Sequence, residues 1–205
     1  MTKLRVRIGR RETHQSPFDP AGIDDPVAQH TSWAPEKPGG TNIASQMLVE
    51  ASPSSLQFRA TAQAWVFAGG TLLVGLWLGW LGLNDPNAFI AALIFVGAGV
   101  LLWRSLTTPF HFDRATGRFW KGKNRPPKDS TKPSGSLESI HALQILPERV
   151  RGSRSSRTYH SYELNLVLRD GSRVNVTDHG KIDLLRKDAT TLSRFLGRPV
   201  WDATR

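Results

Sequence analysis

The residue types that most often do chemistry are scattered along this chain rather than grouped. Its six histidines include no pair at the HxxxH or HExxH spacing of a zinc site, and the absence of cysteine excludes thiolate metal sites, cysteine nucleophiles and disulfides. The most site-like cluster is Asp178-His179-Gly180, in which the carboxylate could orient the imidazole. No serine elbow or spaced carboxylate pair accompanies it, so Asp178 is predicted to cap the last helix. His111 and His141 are predicted to be structural, and the sequence predicts no enzyme, cofactor or metal site.

A basic segment over residues 118–132 is the chemical feature that exceeds the background. The residues predicted to contact anionic lipid or a partner are Arg118, Lys121, Lys123, Arg125 and Lys128. Each such cation can contribute about 1 kcal/mol beside an anionic leaflet. The same charges could serve only to set membrane topology, and the two interpretations stay open. Nucleic acid is a minor interpretation, because Tyr159 and Trp120 could stack on bases but no recognised nucleic-acid motif is present.

Two apolar runs, 64–83 and 87–103, contain no charged residue. Twenty helical residues at about 1.5 Å per residue span about 30 Å, the thickness of a bilayer's hydrocarbon core. The alternative, a helical hairpin buried in a soluble protein, would need a larger surrounding core than the rest of the chain can supply. The sequence therefore predicts a transmembrane hairpin over residues 59–107, with helices at 64–83 and 87–105.

The connection between the two runs, Asn-Asp-Pro-Asn at 84–87, has strong turn chemistry and predicts a tight hairpin. Both ends of the hairpin must then lie on one side of the membrane. Residues 104–205 hold twenty basic residues against ten acidic ones, so the positive-inside rule places both termini in the cytoplasm, at the inner (plasma) membrane. Trp65 and Trp103 should lie at the cytoplasmic interface and Trp80 near the opposite one.

Small residues line one face of each predicted span. Thr71, Gly75 and Gly79 are spaced four apart on the first, and Ala88, Ala92 and Gly99 give the second a similar face. Small residues allow two backbones to approach closely where lipid supplies no hydrophobic driving force. The first face is predicted to pack within the hairpin, while a partner helix, including one from a second copy of the chain, remains an alternative.

The flanking segments differ from each other. Residues 1–58 are rich in Pro, Ser, Asp and Gly and are predicted to be mostly disordered, apart from an alternating strand-like pattern over residues 3–8. Residues 108–205 alternate with a period of two in several segments. Asp170-Gly171 predicts a hairpin turn, and an apolar stripe predicts a helix over about 181–196. The expected fold class is a two-helix transmembrane hairpin plus a small α+β domain with an antiparallel sheet and one C-terminal helix.

This order of elements resembles the pleckstrin-homology-like domains of small bacterial membrane proteins that carry two transmembrane helices ahead of the domain. The residues that carry the resemblance are 110–120 (FHFDRATGRFW), 137–140 (LESI), 164–171 (LNLVLRDG) and 192–200 (LSRFLGRPV). The likeness covers about 62–202 and implies an interaction or lipid-binding module. About five strands are visible where such a domain has seven, so the sheet is either incomplete or completed by the N-terminal segment or another chain.

The function expected from these features is a membrane-anchored interaction module. The hairpin would hold a basic cytoplasmic domain at the membrane, where it binds a protein partner or anionic lipid. The alternative is an immunity or accessory protein whose hairpin binds a pore-forming toxin or another membrane partner. An enzyme acting on a membrane substrate lacks a catalytic constellation. A transporter is disfavoured because the two spans hold no ionisable residue to line a path.

Overall fold

A computed structural model describes residues 13–14, 18–36, 40–122, 133–151 and 158–205, with only the backbone described for residues 13–14 and 151. In chain order its elements are β1 (Thr13–His14), α1 (Pro26–His30), β2 (Gln46–Ser52), β3 (Ser55–Ala60), α2 (Ala62–Leu81), α3 (Pro86–Thr107), β4 (Phe110–Asp113), β5 (Arg118–Lys121), β6 (Ser134–Ser136), β7 (Ile140–Arg151), β8 (Thr158–Leu168), β9 (Arg173–His179), α4 (Ile182–Leu196) and β10 (Val200–Asp202). A 3₁₀ turn at Leu137–Ser139 follows β6.

The two predicted apolar helices are present as α2 and α3, and both are long and apolar enough to cross a membrane. Each begins at a local cap. The Thr61 hydroxyl accepts the Ala64 N–H (3.2 Å), and the Asp85 carboxylate accepts the Asn87 N–H (2.9 Å) with Pro86 at the first helical position. Helix α3 thus begins at Pro86, one residue before the predicted run, and α2 ends at Leu81, two residues before the predicted end, so the connection comprises residues 82–85.

The first sheet has the strand order β2-β3-β4-β5-β6 and is antiparallel throughout. Its first two strands begin in the segment predicted to be mostly disordered, so that prediction is wrong for residues 46–58. Phe58 of β3 pairs with Phe110 of β4. The helical hairpin is therefore inserted into the connection between two neighbouring strands, and two strands of this sheet come from the N-terminal segment of the same chain.

The second sheet has the order β1-β7-β8-β9, and β10 adds in parallel to β7. Its predicted strands and turn are confirmed, with Gly171 in the left-handed conformation (φ 79°) that the turn requires. Helix α4 covers the inner face of this sheet through Leu185, Ala189 and Leu192, all fully buried. Phenylalanines of the first sheet and leucines and isoleucines of the second form one core beneath it.

Residues 18–36 also differ from the predicted disordered tail, because they pack on the outer face of the second sheet. Trp33 lies between Phe18 (ring centroids 4.4 Å apart) and Trp201 of β10 (5.9 Å). The Asp25 carboxylate contacts His141 Nε2 at 2.7 Å, which gives this histidine the structural role predicted for it. The strand-like pattern at residues 3–8 lies outside the described residues.

Candidate functional site at the hairpin end of the domain

The two helices pack through small residues. On α2 the buried positions are Ala64, Ala68 and Gly75, and on α3 they are Ala92 and Gly99. A Cβ atom placed on Gly75 would lie 2.8 Å from the backbone nitrogen of Val96, and one on Gly99 would lie 3.1 Å from that of Leu72. The two backbones therefore approach so closely that neither position has room for a side chain.

The three residues of the predicted α2 face differ in what they contact. Gly75 is buried against α3, whereas a Cβ atom on Gly79 would meet Ala92 Cβ at an ordinary 3.7 Å. The Thr71 hydroxyl donates to the Phe67 carbonyl of its own helix (2.9 Å). Gly75 and Gly79 thus face α3, and the small-residue surface is occupied within the hairpin.

The outward surface of the hairpin is almost entirely apolar. Exposed side chains cover both helices along their length, including Val66, Leu73, Leu76, Trp77, Leu93, Ile94 and Leu101. Trp65 and Trp103 meet edge to face (4.6 Å) where the hairpin joins the domain, while Trp80 lies near the turn and is exposed. An apolar surface of this extent is unsuited to water, and it has the composition of a lipid-facing or partner-facing surface.

The hairpin is tied to the domain by polar contacts at its base. Thr61 Oγ1 donates to the Ala44 carbonyl at 2.5 Å, and its amide donates to Ser45 at 3.1 Å. Gln46 Nε2 donates to the carbonyls of Leu106 (3.3 Å) and Thr108 (2.9 Å). Both helix ends are thereby fixed to residues 44–46. We refer to this side of the domain as the hairpin end.

The two predicted basic residues that the structure describes, Lys121 and Arg118, lie at opposite ends of β5. Lys121 pairs with Phe110, near the point where the chain leaves α3, whereas Arg118 pairs with Asp113 at the far end of β5. Three residues at about 3.3 Å per residue separate them by about 10 Å along the strand. Lys121 therefore lies at the hairpin end and Arg118 does not.

Lys123, Arg125 and Lys128 lie outside the described residues, but both junctions of their segment are described. The Gly122 amide donates to the Pro109 carbonyl (2.9 Å), and the Lys121 amide donates to Pro133 (2.9 Å). Segment 123–132 therefore leaves and rejoins the domain beside the base of α3.

The β7–β8 hairpin also extends toward this end. Its partner β9 ends at His179, which bridges to Ala44 at the base of α2 and pairs with Tyr162 of β8. From that level β7 and β8 continue to the pair Arg151 and Thr158. The β7–β8 connection and the strand ends beside it contain four arginines. Arg149 and Arg151 lie in β7, while Arg154 and Arg157 lie outside the described residues.

A cavity of about 250 Å³ lies at the junction of hairpin and domain. Its lining includes Gln46 from β2, Ser105 and Leu106 from the end of α3, Lys121 from β5, and Thr177 and Asp178 from β9. Hydroxyl, amide, ammonium and carboxylate groups surround it, so the cavity suits a polar group better than an apolar one.

The Asp178-His179 pair has structural contacts. The Asp178 carboxylate accepts from Asn175 Nδ2 (3.1 Å) and does not cap α4, so that prediction is wrong. Instead His179 Nδ1 accepts the Lys181 N–H (2.9 Å) at the start of the helix. Burial lowers the pKa of His179 and favours the neutral ring that this bond requires.

His111 is buried in the first sheet and stacks on Trp120 with ring centroids 4.8 Å apart. Burial lowers the pKa of His111 as well, and its Nε2 lies 3.1 Å from the Gly122 carbonyl. Among the described residues, no three His, Asp or Glu side chains are arranged to hold a metal ion.

No protein-family model matches this chain, and no curated protein is significantly similar to it in sequence. The functional argument therefore depends on the geometry of the hairpin and of the domain to which it is fixed. Sequence reasoning missed the contacts of Gln46 and Thr61, which fix the two together. The signal available was Thr61 itself, a helix-capping residue immediately before the apolar run.

Proposed function

We propose that the hairpin crosses a membrane and holds the β-domain at one surface of the bilayer. The lengths of α2 and α3, 20 and 22 residues, match a hydrocarbon core of about 30 Å at about 1.5 Å per residue. Their exposed apolar side chains would face lipid, and the backbone groups within each helix are satisfied internally, as a bilayer requires.

The domain lies on a single side in this arrangement. Because β3 and β4 are hydrogen-bonded neighbours, the chain segments before and after the hairpin must share one compartment. The basic excess of residues 104–205 favours the cytoplasmic side. The Trp65–Trp103 pair would then occupy the headgroup region of that leaflet.

We also propose that the domain has a pleckstrin-homology-like fold. Strands β2–β5 form a four-stranded antiparallel run, β7–β9 form a three-stranded one, and α4 packs against the core. That arrangement supplies the seven strands and the C-terminal helix of such a domain. The hairpin would be an insertion between its second and third strands.

The proposed activity is contact between the hairpin end of the domain and anionic lipid headgroups. The observation that carries this proposal is the position of Lys121 and of both junctions of segment 123–132 beside the base of α3. Lys123, Arg125 and Lys128 follow Lys121 in the sequence, between these two junctions. Each cation near an anionic surface adds about 1 kcal/mol, which is about fivefold in affinity.

Retention of phosphatidylglycerol tests the proposal. The full chain is reconstituted in mixed neutral and anionic vesicles and extracted in mild detergent, and the phosphatidylglycerol bound per chain is counted. The wild-type chain should retain an excess over the bulk ratio that falls as salt is raised. Changing Lys121, Lys123, Arg125 and Lys128 to Gln should remove it.

The matched control is Arg118→Gln, which removes a cation from the same strand but at its far end. It should retain the lipid. Retention at the bulk ratio by the wild-type chain, or an unchanged excess in the fourfold variant, would contradict the lipid contact. In that case the charges serve topology only.

A toxin-binding or accessory role through the hairpin is the second candidate. Its partner would have to use the outward faces of α2 and α3, because Gly75 and Gly99 are already occupied by the opposite helix. Co-purification of a membrane protein that depends on outward residues such as Trp77 would favour this role over lipid contact.

A further inference from the structure

Exposed large hydrophobic side chains are rare outside the helical hairpin. Among the described residues before position 62 and after position 107, only Met47 and Leu184 expose such a side chain, by 49% and 46%. Single exposed apolar residues are ordinary on protein surfaces. These two differ from that case because they come from different elements, β2 and α4, and line the same cavity.

The cavity between β2 and α4 has a volume of about 260 Å³, and every residue that lines it is described. Its wall is mainly aliphatic, with Ala44 and Leu48 beside Met47 and Leu184. Asp188 also lines it, and the Asp188 carboxylate accepts the Leu48 N–H (3.0 Å). That bond fixes α4 against the edge of β2, so the cavity results from the packing of two fixed elements.

The same cavity adjoins the base of α2. Thr61, which caps α2, lines it, and the Thr61 hydroxyl donates to the Ala44 carbonyl (2.5 Å). Ala44 in turn bridges to His179, three residues before the first residue of α4. Leu184 therefore lies in the first turn of α4, beside the point where α2 begins.

The position of α2 sets the depth of this cavity when the hairpin crosses a bilayer. The 20 residues of α2 match the hydrocarbon core of about 30 Å, so Thr61 lies where the core meets the headgroups. The cavity lies at the same level, since Thr61 is part of its wall. Its apolar lining is thus adjacent to the apolar surface of the hairpin, at the edge of the leaflet.

The exposed charges around the cavity are mainly basic. Arg59 is the cross-strand partner of Met47, and Lys187 lines the cavity from α4. Asp183 is the exposed acid at the start of α4, and Lys181 beside it offsets its charge. Long basic side chains lay their aliphatic stems along apolar surface and extend their charged ends to the headgroups. Apolar side chains flanked by such cations suit the boundary between headgroups and acyl chains.

We infer that Met47, Leu184 and the cavity between them form a second membrane contact, which receives the upper part of a phospholipid acyl chain from the adjoining leaflet. The domain would then be held against the bilayer by an apolar contact beside α2 as well as by the covalent hairpin. This inference rests on the proposed membrane crossing, but it does not depend on the anionic headgroup contact of Lys121.

The depth of single spin labels tests the inference, because the chain has no cysteine of its own. Met47→Cys and Leu184→Cys are made singly in the full chain, labelled with a nitroxide and reconstituted in phosphatidylcholine–phosphatidylglycerol vesicles. Electron paramagnetic resonance then measures collisions with oxygen, which concentrates in lipid, and with a nickel chelate, which stays in water. Both labels should show an oxygen-to-nickel collision ratio several times that of the controls.

The matched controls are exposed positions on the same two elements, farther from the hairpin end. Glu50→Cys lies about 10 Å from Met47 along β2, and Arg194→Cys lies about 15 Å from Leu184 along α4. Both should give the ratio of a label in water. Leu76→Cys, on the outward surface of α2, reports separately whether the hairpin lies in lipid.

A lipid-like ratio at Leu76 together with a water-like ratio at Met47 and Leu184 would overturn this inference and leave the membrane crossing intact. Infrequent collisions with both reagents at Met47 and Leu184 would show that protein, from a partner or a second copy, covers the patch, and would also overturn it. A water-like ratio at Leu76 would overturn the membrane crossing itself, and this inference with it.

Discussion

Gly75 and Gly79 share one face of α2 but differ in what a side chain would meet there. A Cβ atom at Gly75 would lie 2.8 Å from the backbone nitrogen of Val96, whereas one at Gly79 would lie in ordinary contact with Ala92. Backbone cannot move aside as a flexible side chain can. The GxxxG spacing therefore combines one position that needs glycine with one that tolerates alanine.

Gly75→Ala should accordingly destabilise the hairpin by about 1–3 kcal/mol, as overpacking does. Gly79→Ala should change stability by less than about 0.5 kcal/mol. Thermal unfolding in detergent measures both. Gly97→Ala is the control, since nothing lies within 4 Å of a Cβ atom at Gly97. Equal stability of the Gly75 and Gly97 variants would show that the close approach of the helices is wrong.

His179 predicts a pH dependence of stability. Burial lowers its pKa below the ordinary 6.5, and the neutral ring accepts the Lys181 N–H at the start of α4. A base with a lowered pKa in the folded chain contributes stability that is present above pH 6.5 and is lost as the pH falls through the folded pKa.

The unfolding midpoint should therefore fall as the pH drops from about 7 to about 5. His179→Asn should reduce this slope, because the amide oxygen can accept the same N–H and does not titrate in this range. Burial lowers the pKa of His111 as well, so its protonation also reduces stability as the pH falls, and part of the pH dependence should remain in the variant. An identical pH profile in the variant would rule out His179 as a source.

At the scale of elements, periodicity determined what could be predicted. The alternating leucines of β8, the Asp170-Gly171 turn and the apolar stripe of α4 are local patterns, and each gave the observed element. Strands β2 and β3 were missed because they are flanked by Pro- and Ser-rich sequence. Their partner β4 follows only after the whole hairpin, so no local pattern indicated the pairing.

The residues of the candidate site were also only partly predictable from local sequence patterns. Composition indicated the basic segment and the small-residue face, but only the strand register separates Lys121 from Arg118. Likewise, the packing of segment 18–45 depends on Trp33 meeting Trp201, two residues that are distant in sequence. The contacts of Glu148 and Glu163 with the backbone amides of Gly40 and Glu36 could not be predicted. Isolated glutamates in strands are common, and a bond to a backbone amide leaves no signal in the partner's residue type.

The insertion of the hairpin between β3 and β4 predicts how the domain can be isolated. A fragment of residues 106–205 lacks β2 and β3. Strand β3 contributes Leu56 and Phe58 to the core and is hydrogen-bonded to β4, so the fragment would expose that edge of β4. That fragment should aggregate. A chain in which residues 62–107 are replaced by a short Asn-Gly turn should be soluble and unfold cooperatively, because the turn only rejoins paired strands.

Circular dichroism and sedimentation of the two products give the comparison. A soluble, cooperatively folded 106–205 fragment would contradict the assignment of β2 and β3 to the domain. So would a hairpin-deleted chain without stable structure, provided that it is expressed with the N-terminal segment intact.

At the scale of the whole molecule, one β-domain is divided in sequence by an apolar helical hairpin, which we propose crosses a membrane. Contacts from Thr61 and Gln46 fix the hairpin base, so the domain should not rotate freely above the bilayer. Its hairpin end, with Lys121 and the junctions of segment 123–132, would face the headgroups constantly.

Cysteine accessibility tests whether the hairpin crosses the membrane, because the chain has no cysteine of its own. Single cysteines replace Glu50 before the hairpin, Asn84 in its turn and Glu138 after it, all exposed positions. A membrane-impermeant maleimide is applied to intact spheroplasts and to inverted membrane vesicles. The membrane-crossing arrangement predicts that Asn84→Cys is labelled only in spheroplasts, and that Glu50→Cys and Glu138→Cys are labelled only in inverted vesicles. Labelling of all three from one side, or recovery of the chain in the soluble fraction, would contradict it.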